Sequence, residues 1–120
     1  MKTNKEIATL FSNGKFKEVA DNLAGDIEWN IYENDMSLKG KEAVLEFCKK
    51  IAEYFESVTT KFEMSGIVEE NSKVSIYGYA EFIKEGKTVS KVNSCDVYEF
   101  DDSSKIKNIF SYCNTCKPIE

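Results

Sequence analysis

The sequence predicts an α+β fold: a strongly curved antiparallel sheet wrapped around one long helix, with two short helices at the N-terminus. Three observations carry this expectation. Helical periodicity is confined to the first half of the chain apart from one strand, and the second half alternates with period two. The hairpin turns between the later strands are short and polar. Strands of ten or more residues cannot stay flat, so they must coil, and the long helix is the element available to fill the concave side.

In order, Thr3-Asn4-Lys5-Glu6 has the form of a capping box, and Ile7, Leu10 and Phe11 follow at helical spacing up to Ser12-Asn13-Gly14. Phe16, Val19, Ala20 and Leu23 repeat at i, i+3, i+4, i+7, which predicts a second short helix over 15–23. Ala24-Gly25-Asp26 breaks that pattern. Ile27, Trp29 and Ile31 then alternate with polar residues as a half-buried strand. Residues 33–40 read as a loop that forms a rim or lid, or a simple connection. The helix over 41–55 carries one apolar stripe, Val44, Phe47, Cys48, Ile51 and Phe55, with Glu46 and Lys50 paired on the other side. Four strands follow: one from Val58 to a break at Gly66, one over 74–83, and two within 89–114 joined by Asp101-Asp102-Ser103-Ser104. The single proline, Pro118, lies in a short tail.

At 120 residues this predicts a single domain, spanning 1–120, with one core. The net charge of −5 and the scatter of lysines among acids argue against nucleic acid and against an anionic membrane as partners. No apolar run has membrane-spanning length and the N-terminus lacks a signal-like apolar core, so a cytoplasmic protein is expected. The absences are sharper. The chain has no His, Arg or Gln, and all 16 basic residues are Lys. That excludes imidazole bases, Ser-His and Cys-His nucleophile pairs, His metal sites and bidentate Arg clamps. Chemistry here must run on Asp, Glu, Lys, Tyr, Cys or backbone, and no cofactor or metal is called for.

Asp96 is the residue that stands out. If Ser94, Asp96, Tyr98 and Phe100 share one face by alternation, a carboxylate points the same way as two aromatic rings. It is then a cavity carboxyl with a raised pKa, acting as acid, base or donor. The alternatives are a strand Asp bonded to a backbone amide or to Tyr112, or an acid turned to solvent by a one-residue register shift. Trp29, Phe47, Tyr54, Phe62, Phe82, Tyr98 and Tyr112 either line an aromatic pocket or fill an ordinary core. Small Gly78 and Ala80 would leave room on the inner face, although Gly78 could equally mark a bulge. Cys113 and Cys116 have C-x-x-C spacing but end a strand, and Cys48 and Cys95 are unpaired in sequence. Reduced thiols are therefore expected rather than a zinc or redox centre.

The Gly14 turn between short helices, Asp26 ahead of the Trp29 strand, and Gly40-Lys41-Glu42-Ala43 opening the long helix form a recognisable order. So does Asp96-Val97-Tyr98-Glu99-Phe100-Asp101-Asp102 followed by Lys105-Ile106 and Tyr112. Over nearly its whole length the chain resembles the NTF2-like superfamily, which includes nuclear transport factor 2, ketosteroid isomerases and SnoaL-like polyketide cyclases. The resemblance implies a cystatin-like cone with a cavity for a small apolar molecule, lined also by Ile31 and Asn114. It implies a homodimer through the outer sheet face, which Tyr77 and Tyr79 would supply. It also implies a place for Asp96, at the protonated Asp of the ketosteroid isomerase oxyanion hole. The isomerase Tyr and base are replaced by Ile7 and Ile31, and the acid that many SnoaL-like members carry after the last-strand Tyr is Asn114. Three functions are consistent with this: a cofactor-independent isomerase, cyclase, dehydratase or hydrolase using Asp96 with Tyr54 or Tyr112, a non-catalytic ligand-binding protein, or a protein-interaction module.

Overall fold

Thr3 opens the first helix as expected: its hydroxyl accepts from the Glu6 amide and the Glu6 carboxylate accepts from the Thr3 amide, a complete capping box. The computed structural model describes residues 2–116, so Pro118 lies outside the described residues. Helix α1 spans Asn4–Ser12 and buries Ile7, Ala8 and Phe11. Helix α2 is shorter than its periodicity suggests, Phe16–Val19, and tightens into a 3₁₀ turn over Ala20–Asn22. Strand β1 begins earlier than predicted, at Leu23, and runs to Ile31, because the Ala24-Gly25-Asp26 break is an irregularity within the strand and not its end.

The predicted loop over 33–40 is a correction. Tyr32–Asn34 forms a 3₁₀ turn, Asp35 takes the left-handed conformation, and Met36–Lys39 returns as strand β2 against β1. Helix α3 spans Lys41–Ser57. Strands β3 (Thr59–Glu70), β4 (Lys73–Lys84), β5 (Lys87–Phe100) and β6 (Ile106–Cys116) complete the chain. Two-residue turns at Asn71-Ser72 and Glu85-Gly86 have positive φ throughout, the geometry that matches the twist of a hairpin. The last turn is held by Asp101, whose carboxylate accepts from the amides of Ser103 and Lys105.

The six strands form one sheet in the order β2-β1-β6-β5-β4-β3. It is mixed rather than wholly antiparallel: β6 returns beside β1 in the same direction, and every other neighbour is antiparallel. Helix α3 packs on β1 and β2 at one edge and on β3 at the other. Four strand spacings of roughly 4.8 Å, about 19 Å in all, separate β1 from β3, and the 17-residue helix, about 25 Å long, spans that distance.

Gly66 does not end β3, as its residue type suggested. A bulge between Met64 and Gly66 lets the strand continue to Glu70, with the Tyr77 ring lying over Gly66 where a side chain would overlap it. Opposite that bulge a Cβ on Gly78 would sit 2.5 Å from the Glu63 carbonyl oxygen, so Gly78 serves a close backbone approach. One end of the space between helices and sheet is packed solid by Ile7, Leu23, Ile27, Val44, Ile106 and Ile109. The other end is open.

Candidate functional site

The open end is floored by the inner faces of three adjacent strands. Ile76, Asp96 and Ser111 stand side by side across β4, β5 and β6; the next row is Gly78, Ser94 and Cys113; beyond it come Ala80, Val92 and Thr115. Small side chains in these rows leave a pocket of about 650 Å³ that a Leu-rich floor would have filled. Its walls are aromatic. Phe11 and Phe16 come from the N-terminal helices, Phe47 and Phe55 from α3, Phe62 and Phe82 from β3 and β4, and Trp29 from β1. Edge-to-face contacts fix the deep end: Phe11 lies 5.3 Å from Trp29 and 5.8 Å from Tyr98, and Trp29 lies 5.4 Å from Phe47.

Trp29, Ile31, Phe47, Phe62, Phe82, Asp96 and Tyr98 all lie in the lining of this pocket. Three expected residues do not line it. Tyr54 sits at the edge of the α3 stripe, 45% exposed, leaning on Phe82 from outside at 5.6 Å, while Phe55 takes the inner position. Tyr112 and Asn114 fall between Ser111, Cys113 and Thr115 on β6 and therefore point to the opposite face. There Tyr112 stacks on Tyr32 at 4.9 Å, beside a shallower depression that includes Asn114. Ile7, one of the positions highlighted by the resemblance, is wholly buried in the packed end.

Asp96 keeps partial access to the pocket and is packed by protein on its other sides. Burial raises its pKa above the ordinary carboxyl value, and the polar Ser111 hydroxyl beside it partly opposes the rise. Ser111 is buried and its Oγ accepts from the Trp29 indole N–H at 2.8 Å. Tyr98 is also buried, its hydroxyl 2.6 Å from Ser12 Oγ, and burial together with the nearby Asp96 pushes its pKa well up. Burial, then Asp96 and Glu33, push the Cys113 thiol to about 12. Burial thus shifts Asp96, Tyr98 and Cys113 each towards the neutral form. At the mouth Glu33 accepts from the Thr115 amide at 3.0 Å and from its hydroxyl at 2.9 Å, tying the 3₁₀ turn to the end of β6.

No Lys lines the pocket, and among the described residues no group of three acids or thiols is placed to hold a metal ion. The described cysteines are free, and Cys113 and Cys116 occupy opposite faces of β6 as alternation requires. Among the described residues no helix is long and apolar enough to cross a membrane. Sequence reasoning missed Ser111, Cys113, Glu33, Phe11 and Phe16 as pocket residues.

No protein-family model matches the chain, and no curated protein matches it. Solved structures do. An NTF2-like protein of unknown function from Cytophaga hutchinsonii ATCC 33406 is 33% identical, with a TM-score of 0.77 over 90% of this chain and 93% of that one. A candidate SnoaL-like polyketide cyclase from Shewanella putrefaciens CN-32 shares the fold at 11% identity, TM-score 0.73, over 94% and 80% of the two chains. So does an M. tuberculosis LEH-like epoxide hydrolase, at 16% identity and TM-score 0.70, over 92% and 82%. With a third of its residues shared over nine-tenths of its length, the chain belongs to the NTF2-like family.

Proposed function

We propose that the pocket binds a small, largely apolar molecule carrying one hydrogen-bond-accepting oxygen, and that Asp96 serves that oxygen as donor and general acid. The observation that carries this reading is a carboxyl group facing an aromatic pocket that contains no cation to hold it ionised. A protonated carboxyl donates to a carbonyl or hydroxyl oxygen and strengthens that bond as negative charge develops on it. Glu33, the other acid of the lining, is already engaged by Thr115. The site thus has a free acid without a second free carboxylate beside it, which suits ligand binding, carbonyl activation or assisted loss of a hydroxyl group. Reactions needing two independent carboxylates do not fit it. An isomerase, cyclase or dehydratase with Asp96 as its acid is the enzymatic form of this reading; a carrier with the same contacts is the non-catalytic form.

The test is native mass spectrometry of protein purified from its own host, with release and identification of any bound molecule. A co-purifying apolar carbonyl or hydroxyl compound that is lost in Asp96→Leu supports the reading. An empty pocket, with no binding of aromatic ketones added in solution, overturns it.

The outer sheet face favours a second proposal, a homodimer. Tyr77 is 47% exposed, Tyr112 51% and Val68 59%, and the partly covered Tyr79, Val97 and Phe110 lie on the same side. Multi-angle light scattering at micromolar concentration tests it, with a dimer expected for the parent and a monomer for Tyr77→Glu.

A further inference from the structure

Helix α1 ends on a hydroxyl whose hydrogen has no acceptor among the described residues. Ser12 is the last residue of the helix, and the chain turns sharply after it. Gly14 takes φ +80°, its amide donates to the Phe11 carbonyl at 3.0 Å, and the Lys15 amide donates to that of Leu10 at 2.9 Å. The end of the helix is thus fixed, and Ser12 with it. Its Oγ lies 2.6 Å from the hydroxyl of Tyr98, which reaches it from β5. Each of these hydroxyls has one hydrogen, and the bond between them uses one of the two. Tyr98 is 1% exposed, and Ser12 is its one side-chain hydrogen-bond partner among the described residues. Were Ser12 the donor, the tyrosine hydrogen would be left buried and unpaired, so Tyr98 donates and Ser12 accepts. The hydrogen of Ser12 is then the one left over. Thr9, earlier in the same helix, turns its hydroxyl back onto the Lys5 carbonyl at 2.8 Å, but among the described residues Ser12 makes no bond of that kind. Ser12 is only partly covered, and it lines the pocket beside Phe11 and Phe16.

We infer that Ser12 is a ligand-contacting donor on the helix wall of the pocket, aimed by Tyr98, and that the ligand carries a second oxygen there besides the one that meets Asp96. The inference rests on the ligand-binding reading above and extends its ligand class to molecules with two oxygens held apart on an apolar frame. The separation comes from the fold. Asp96 stands on the sheet floor, whereas Ser12 comes from α1 and is tied to Tyr98, two residues or roughly 7 Å further along β5. Around them Phe11, Trp29 and Phe47 offer the frame only apolar contact and the edges of their rings. A carbonyl or hydroxyl oxygen satisfies the Ser12 hydrogen. A methylene in its place takes that hydrogen out of water and leaves it unpaired, which is how a site built around a hydroxyl rejects an analogue lacking the matching oxygen. Tyr98 is a positioning residue: by occupying one lone pair of Ser12 it turns the serine hydrogen away from β5 and towards the open pocket.

Three compounds of closely similar shape separate the possibilities: dibenzoylpropane, the monoketone in which one of its carbonyls is a methylene, and the hydrocarbon diphenylpentane. They carry two oxygens, one and none on the same flexible frame. Calorimetry on the parent protein is expected to show the diketone binding on the order of tenfold tighter than the monoketone, one net hydrogen bond. In Ser12→Ala that ratio should fall to within about twofold of unity while the monoketone keeps its affinity to within about threefold. Ser12→Thr, which keeps the hydroxyl, should keep the ratio. Tyr98→Phe, which keeps the ring and removes the donor, should lower it at least about threefold. A helix wall that only shaped the pocket would change the diketone and the monoketone alike. Equal affinity of diketone and monoketone in the parent, or a ratio unchanged in Ser12→Ala or in Tyr98→Phe, overturns the inference while leaving the pocket reading intact. No binding of any of the three overturns both.

Discussion

Replacing Asp96 by Asn removes an ionisation that folding opposes, and the consequence is a difference in stability that depends on pH. Asn has nearly the same size and shape as the neutral carboxyl, so packing is nearly unchanged. In the parent, burial raises the folded-state pKa of Asp96 above the unfolded value of about 3.9. Between those two pKa values the unfolded chain releases a proton that the native state retains, so native stability falls as pH rises. Below the unfolded pKa the carboxyl is neutral in both states and costs nothing. The loss accumulates at up to about 1.4 kcal/mol for each pH unit in that window and levels off above the folded pKa. Access of Asp96 to the open pocket and the polar Ser111 hydroxyl beside it limit how wide the window is. Tyr98 and Cys113, the other titratable groups around it on β5 and β6, stay neutral through the same range, and Glu33 at the mouth is common to both proteins. Urea titrations of parent and Asp96→Asn from pH 4 to pH 8 should therefore diverge, the variant gaining on the parent as pH rises through the window. Parallel curves from pH 4 to pH 8 would refute the argument that Asp96 is held neutral.

Other outcomes follow from the same geometry. Ser12→Ala leaves the buried Tyr98 hydroxyl without its partner and should cost about 1–3 kcal/mol in chemical denaturation. Gly78→Ala drives a methyl group against the Glu63 carbonyl at the β3 bulge and should cost a similar amount, ~1–3 kcal/mol, with hydrogen exchange rising first in β3. With its pKa near 12, Cys113 is thiolate in only about one molecule in ten thousand at pH 8, so peptide mapping after iodoacetamide should find exposed Cys116 modified long before Cys113 or the buried Cys48.

Legibility of the fold in the sequence depended on how many residues repeat a signal. Helix α3 and the long strands carry their periodicity over three or more turns or alternations, and the inner row Ser94, Asp96, Tyr98 followed directly from it. Strand β2 has four residues and a left-handed Asp35 before it, too little alternation to distinguish from a loop. The partner of Asp96 was hidden for a different reason. Counting back from the Asp101–Lys105 turn pairs Asp96 with Phe110, but the irregularity between Glu99 and Phe100 in the β5–β6 ladder moves its partner to Ser111. One extra residue therefore gave the acid a hydroxyl neighbour and turned Tyr112 and Asn114 to the other face. The aromatic rings of Phe11 and Phe16 were read as helix core, which they also are: the same rings close the packed end and wall the open one.

The measurement closest to the central claim uses the chain's single tryptophan. Trp29 lines the pocket and its indole N–H is bonded to Ser111, beside Asp96, so one nitrogen–proton cross-peak reports on the pocket. Titration with benzophenone should move that peak progressively in the parent, and the movement should be strongly reduced in Asp96→Leu. A peak that stays in place while benzophenone is shown by calorimetry to bind would put the ligand elsewhere and contradict the account.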